Sequence, residues 1–347
     1  MNYEVKEANI AKDKQLILDF WRIHFPDRSL KRFEWIYQNG PYGFGSCWTV
    51  TQENNPEIIG TVAFFPRVFF KNGKKCLGGI TGDFGVAPNH RILIAALKLQ
   101  KFLIRSIPEK HIDFLYGVAN KNSKGVQKRA GFFVLGNMIG MTKILKSKTY
   151  IIKYVKSGVF AKIIGVIVDF FLKIFSREIF KIIPRNYQYS IANSFDGRFD
   201  VLWKEAPNFY TIIGERTSKF LNWRFANCPL NKYKVFCLKN INEDNLVGYI
   251  VFSIKDNTIQ ISDILSLSST NLDILIYSFI KYARKENARS ISISFFGGTF
   301  LKNKLKRYQF ILRNTEMSFI VFSNVQCKAK KILDPSKWFF TDADNDF

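Results

Sequence analysis

Apolar side chains recur along this chain at two spacings, and the alternation between them predicts a mixed fold of strands and helices. Leu16, Ile17, Phe20, Trp21 and His24 follow the three-and-four step of a helix over residues 14–24. A second short helix begins at 33–37 and is stopped by Asn39-Gly40-Pro41. Residues 47–51, 57–66 and 68–70 read as strands, the last two turning through Lys71-Asn72-Gly73 to a further strand near Lys75. A strand over 80–86 then runs into Ala87-Pro88-Asn89. The helix that follows places Ile92, Ala96, Leu99 and Leu103 on one face, with Asn89 as its cap and Pro108 beyond its end. Residues 114–119 form the next strand and 123–130 a short helix, and Gly131-Phe132 turns into a last strand with Val134 and Leu135. A meander followed by strand, helix, strand, helix, strand is the order of a mixed α/β sheet.

The same pattern is written twice. Trp35-Ile36-Tyr37-Gln38-Asn39-Gly40-Pro41 and Trp223-Arg224-Phe225-Ala226-Asn227-Cys228-Pro229 stand 188 residues apart, and Ile58-Ile59-Gly60 has the same offset from Leu246-Val247-Gly248. A duplicated unit accounts for 347 residues better than a single core does. The predicted division is an N-terminal domain over 1–145, a basic apolar helical connector over 146–188, a C-terminal domain over 189–333 and a polar tail over 334–347. The second copy reads as a helix over 216–225, strands over 235–238, 246–254 and 259–266, a helix over 272–286, a strand over 290–295 and a final strand after Phe310. The acidic tail is expected to be loose. The twin tryptophan segments are expected to be core and turn elements.

Within the connector, 158–175 is strongly apolar but carries Lys162, Asp169 and Lys173, which with Arg177 fall along one side of a helix. Its length and charge disfavour a bilayer span. Two placements remain open: an interdomain helix buried against both copies, or a helix lying in the membrane interface. The net charge of +24 and a pI near 9.8 favour polyanionic partners, although the basic residues are spread along the whole chain. Five cysteines without a Cys-x-x-Cys pair and three histidines without ligand spacing predict no disulfide framework and no metal. The first residues lack the apolar run of a signal peptide, and a cytoplasmic location is expected, with peripheral contact at an anionic inner membrane face as the variant.

Candidate chemistry concentrates at Gly82-Asp83-Phe84-Gly85-Val86-Ala87-Pro88-Asn89-His90-Arg91, where a strand runs directly into a helix. The first amides of such a helix, with its dipole, can hold a pyrophosphate, and Arg91 adds a fixed charge there. Asp83 is a carboxylate able to take a proton from an ammonium group, or simply to cap or pair locally. His90 reads as an exposed loop histidine. Downstream, Gly117-Val118-Ala119-Asn120-Lys121-Asn122-Ser123 is followed by Gly131-Phe132, eleven residues after Asn120. Asn120 and Ser123 are suited to hydrogen-bonding a cofactor or to forming a turn.

In order and spacing these segments resemble the GCN5-related N-acetyltransferase (GNAT) family. Its signatures are Val-x-Pro-x-x-Arg before a glycine-rich turn, and an asparagine after the fifth strand with a Gly-Phe after the next helix. The resemblance implies two tandem acyl-CoA N-acyltransferase-like domains, the second degenerate, since neither the proline nor the arginine follows Asp263 and Gln309 stands where Gly131 does. It implies direct transfer from acetyl-CoA to a primary amine, with an amino sugar or glycan precursor as the acceptor class. The cofactor contacts it implies are Phe84, Val86, Arg91, Ile92, Leu93, Ile94, Ala95, Ala96, Asn120 and Ser123, with Asp83 as base. This chain has Ile92-Leu93-Ile94-Ala95-Ala96 where the family has glycines. Gln127 stands at the position of the tyrosine that protonates the thiolate, which leaves water or Tyr116 for that step. Two other readings keep the fold: a Fem-type transferase using aminoacyl-tRNA, whose binding would be steeply salt-dependent, or a non-catalytic member acting at a membrane surface or as a binding module.

Overall fold

Alternation along one long strand sets the layers of the first half. In β3 (Asn55–Lys71), Val62 and Phe64 point to one face, where Ala95, Leu99 and Leu103 of α3 (Leu93–Arg105) cover them; Ala63, Phe65 and Phe69 point inward, toward the other half of the chain. The computed structural model describes residues 2–90, 93–147, 158–323 and 331–346.

Around β3 the first half is built from β1 (Tyr3–Glu7), α1 (Lys14–His24), α2 (Leu30–Phe33), β2 (Ser46–Gln52) and β4 (Lys74–Val86), with β5 (Phe114–Ala119), α4 (Lys121–Ala130), β6 (Phe133–Asn137) and β7 (Ile139–Ile144) following α3. The helix predicted from Asn89 starts at Leu93, after a 3-10 turn over Pro88–His90 that contains Asn89. Ser29 caps α2, which continues as a π-helical turn over Glu34–Gln38. Then come α5 (Gly158–Ile174), β8 (Tyr187–Ala192), α6 (Gly197–Phe209), β9 (Ile212–Gly214) and α7 (Ser218–Leu221), the last again running into a π-helical turn, Asn222–Ala226. The second half closes with β10 (Lys234–Asn240), β11 (Asn245–Lys255), β12 (Thr258–Ser266), α8 (Ser269–Lys285), β13 (Ser290–Gly297), α9 (Thr299–Arg307), β14 (Ile311–Arg313), β15 (Ser318–Phe322) and β16 (Trp338–Thr341).

Among the described residues, all sixteen strands belong to one mixed sheet. Its pairing crosses between the halves reciprocally: β15, late in the chain, lies antiparallel between β5 and β6, while β7 lies between β13 and β14. Each half therefore completes the sheet of the other. Short β9 pairs with β3 and with β16, which in turn pairs with β13, and this run joins the two halves edge to edge.

The twin tryptophan segments meet. Trp35 and Trp223 stack with centroids 4.9 Å apart and planes at 24°, and each indole N–H donates to the other's main-chain oxygen, at 3.0 and 3.3 Å. Both are buried, so the repeated sequence marks the pseudo-twofold axis between the copies. Because the two rings share one contact, Trp35→Ala and Trp223→Ala are each expected to cost about 3–5 kcal/mol, and the double variant to cost clearly less than their sum. Urea denaturation of the four-member cycle reads this directly, and strict additivity would contradict it.

Two expectations are corrected. The acidic tail is not loose: Trp338, Phe340 and Ala343 are buried, and Asp344 is ion-paired with Arg216. Buried arginines supply the charge that local composition could not reveal. The connector helix is also not covered by both copies; most of the described outer face of α5 is open to solvent.

Candidate functional site

A bulge opens the sheet where the sequence placed the chemistry. Thr61 pairs with Gly85 and Ala63 with Gly82, so β4 carries one residue more than β3 between these pairs, and Asp83 there has φ +47°. The parallel pairing of β4 with β5 runs from Gly78–Phe114 to Ile80–Tyr116 and stops. Past it the two strands part, and a cleft of about 470 Å³ lies between Phe84, Gly85 and Val86 on one side and Asn120, Asn122 and Ser123 on the other. Leu93 and Ala96 of α3 and Val126 of α4 close its outer end, and Phe25 packs so tightly under Gly85 that a side chain there would collide with the ring.

Of the residues that the sequence assigns to a cofactor, Phe84, Val86, Leu93, Ala96, Asn120 and Ser123 line this cleft. Ile94 is instead 56% exposed and away from it, and Ala95 is fully buried in the core beneath α3. Helical geometry separates them, since neighbouring positions point about a quarter-turn or more apart. Arg91 and Ile92 lie outside the described residues. Asn120 is committed to its own helix: its side chain accepts from the amides of Asn122 and Ser123, and the Ser123 hydroxyl donates back to its carbonyl. This N-cap starts α4, and Gly131, at φ +117°, ends it in the left-handed conformation that favours glycine. The asparagine and the Gly-Phe of the sequence signature are thus the two ends of α4.

The catalytic assignments to Asp83 and Tyr116 meet a different geometry. Asp83 is wholly buried on the face away from α3. Its Oδ2 accepts from Arg32 at 3.0 Å and from the Tyr37 hydroxyl at 2.9 Å, and Arg28 Nε is 3.2 Å from its Oδ1. Burial alone would weaken the charge on Arg32, but Asp83 and Asp346 outweigh it and the guanidinium is held above its usual range. Tyr116 is also buried; its hydroxyl donates to the Asp344 carbonyl at 2.9 Å, and burial holds its phenol well above the usual range. Neither lines the cleft.

The second half repeats the ion pair. Asp263, opposite its own bulge in β12, accepts from Arg216 Nε at 3.0 Å, from Tyr249 at 2.9 Å and from Thr341 at 2.7 Å, and Arg216 grips Asp344 at 2.6 and 2.7 Å. An arrangement built twice on two arginine–aspartate pairs identifies Asp83 as a structural anchor. The arginines were the missed residues. Their one sequence signal was a basic residue shortly before each twin segment, Arg32 and Arg216. Arg224 completes the set, donating to the tail carbonyls of Asp342, Ala343 and Asn345.

Asp342, under Arg224, is lifted by burial to about 7. Its acid form is therefore favoured in the folded chain, and the stability it gives is complete below about pH 4 and lost as pH rises through 7. The stability of Asp342→Asn relative to wild type, read by urea denaturation, is expected to rise across that window. A difference independent of pH would contradict this.

The second half also keeps the splayed strands. β12 and β13 pair in parallel from Thr258–Ser290 to Ile261–Ile293 and then part around a cleft of about 610 Å³. Ile264, Leu272, Phe295, Phe300 and Trp338 make it more apolar than the first, Ser268 caps α8 at its mouth, and Gln309 takes the positive φ, +62°, that Gly131 has in the first half. Among the described residues no cluster of His, Cys, Asp and Glu could hold a metal ion.

The fold has solved counterparts. A GCN5-related N-acetyltransferase from Anabaena variabilis is similar at 13% identity and a TM-score of 0.66, over 95% of this chain and 75% of that one. A tandem GNAT protein from the clavulanic acid biosynthesis pathway is similar at 9% identity and a TM-score of 0.54, over 93% of this chain and 98% of that one. The fold is that of a tandem GNAT protein. Saccharomyces cerevisiae N-myristoyltransferase, with myristoyl-CoA bound, shares this GNAT fold at 11% identity and a TM-score of 0.58, over 92% of this chain and 82% of that one. No protein-family model and no curated protein matches the sequence. At such identities the likeness is one of architecture, and the chemistry of this GNAT fold has to be argued from its own clefts.

Proposed function

We propose that the chain is an N-acyltransferase that takes an acetyl group from acetyl-CoA in the β4–β5 cleft and delivers it to a primary amine, an amino sugar or glycan precursor being the acceptor class. The observation that carries this reading is the parting of β4 from β5 past Ile80, just ahead of a bulge and beside α3. The pantetheine amides would lie along the edge of β4 past Ile80, and the phosphates would meet the first turn of α3. The amine would approach from the inner face, where Asp346 sits against Gly82 so closely that a side chain on Gly82 would collide with its carboxylate. The Asp346 side chain is 17% exposed, and burial raises its affinity for a proton, two properties suited to a base. In this reading it takes the ammonium proton, the amine attacks the thioester carbon, and as the tetrahedral intermediate collapses the second amine proton passes through water to the departing thiolate.

Acetyl-CoA at a hundred times its dissociation constant should stabilise the protein by about 2.7 kcal/mol, seen as a rise in melting temperature. Ser123→Trp, which fills the cleft from its rim, should abolish the rise, and Asp346→Asn should keep it while lowering kcat. No rise with acetyl-CoA, together with a rise on adding tRNA that salt removes, would transfer the reading to the Fem-type transferase. A second reading places the donor in the β12–β13 cleft, whose larger volume and capped helix favour it. It predicts that Ser269→Trp, not Ser123→Trp, removes the thermal shift.

A further inference from the structure

Helix α5 is docked the reverse of an ordinary surface helix. Its contacts with the protein are polar: Asp169 Oδ1 accepts from the hydroxyl and main-chain amide of Ser147, and the Ser147 hydroxyl also reaches the Gly165 carbonyl. Just past its end Ser176 accepts from Arg284 at 2.8 Å, and buried Glu178 pairs with Lys143 at 3.3 Å and Arg284 at 3.0 Å. Gln309 donates to the Phe175 carbonyl at 2.7 Å, and Tyr277 to the carbonyl of Ile182 at 3.1 Å. These bonds fix the rotation of the helix, and the face they leave outside is apolar. Val166 is 70% exposed, Phe170 59%, Phe171 50% and Phe175 67%, and the following turn adds Phe180 at 73% and Ile182 at 85%. With Asp169 turned onto the protein, the helix leaves an exposed apolar ridge of the kind that marks an interaction site.

We propose that this ridge seats the protein on the surface of an anionic lipid bilayer, with α5 lying in the interface plane. Charge selects this occupant over another protein. Lys173, Arg177, Lys181 and Arg185 are exposed around the ridge, and the whole chain carries +24. That combination is what lipid headgroups attract, at about 1 kcal/mol per basic residue near the surface. A helix of 17 residues is about 25 Å long, and among the described residues no helix is long and apolar enough to cross a membrane. The docking is therefore peripheral. The aromatic rings enter the headgroup and upper acyl region, and the cations stay at headgroup level.

The test is co-sedimentation of the full chain with vesicles of phosphatidylcholine containing about 30 mol% phosphatidylglycerol. Binding is expected, falling at least roughly tenfold on neutral phosphatidylcholine alone and in about 0.5 M salt. Phe170→Ser/Phe171→Ser should lower the partition coefficient by roughly tenfold or more while leaving the melting temperature and the acetyl-CoA response of the free protein as in wild type, because both rings face solvent. Wild-type protein that stays in the supernatant with anionic vesicles overturns the proposal. So does a solution dimer, by sedimentation equilibrium, that the same double substitution dissociates, since a second copy would then be what covers the ridge.

Discussion

Arg216→Ala is expected to cost about 3–5 kcal/mol of unfolding free energy, the range for removing one member of a buried ion pair. The arginine is wholly buried and holds two carboxylates at once, Asp263 of β12 and Asp344 of the tail. Alanine would leave two anions facing each other with no cation between them, a worse outcome than a simple cavity. Lysine should rescue little, because one ammonium cannot reproduce the forked contacts that the guanidinium makes with Asp344 through both terminal nitrogens while Nε serves Asp263. Urea denaturation with the tail's protease sensitivity as a second readout checks it. A loss under 1 kcal/mol, with the tail still protected, would mean that the tail is held by its apolar contacts, Trp338 and Phe340, and not by the arginine.

Splitting the chain should be more drastic. Expressed separately, fragments 1–150 and 151–347 are each expected to be insoluble or unfolded, because β5 and β6 would lack β15 between them and β13 and β14 would lack β7. Each would present unpaired strand edges flanked by apolar faces, a combination that aggregates. Co-expressed, the two should assemble into a stable complex, since the break falls between β7 and α5 and outside every described strand. A folded, monomeric fragment 1–150, shown by dispersed amide resonances, would contradict this.

The elements were legible because their signals are local. The three-and-four spacing of Leu16 to His24 and of Ala96 to Leu103 marks helices, and the short apolar runs across 246–254 and 259–266 mark strands, wherever those segments finally pack. The copied tryptophan segments announced a duplication, and Asn120 with Gly131 announced the two ends of α4. What was not legible depends on partners distant in sequence. Nothing in Ser318 to Phe322 says that it will lie beside β5, because a strand pattern specifies a face and not a neighbour. The acidity of 342–346 read as solvation, whereas Arg32, Arg216 and Arg224, more than a hundred residues away, turn it into an interior. The surroundings of Asp83 were hidden for the same reason: its type and position suit a base, and only Arg32 and Tyr37, folded against it, show what engages its carboxylate. The cleft was found because a strand running into a helix is itself a local signal.

The reciprocal strand exchange sets a timetable for the newborn chain. When residue 145 leaves the ribosome, the slot beside Phe114 to Ala119 is still empty, and its filler is not synthesised until residue 322. At about 5–20 residues per second the first half waits roughly 10–35 s with an incomplete sheet. During that interval it is a client for chaperones, and any pause or premature stop before residue 322 would strand both halves unfinished.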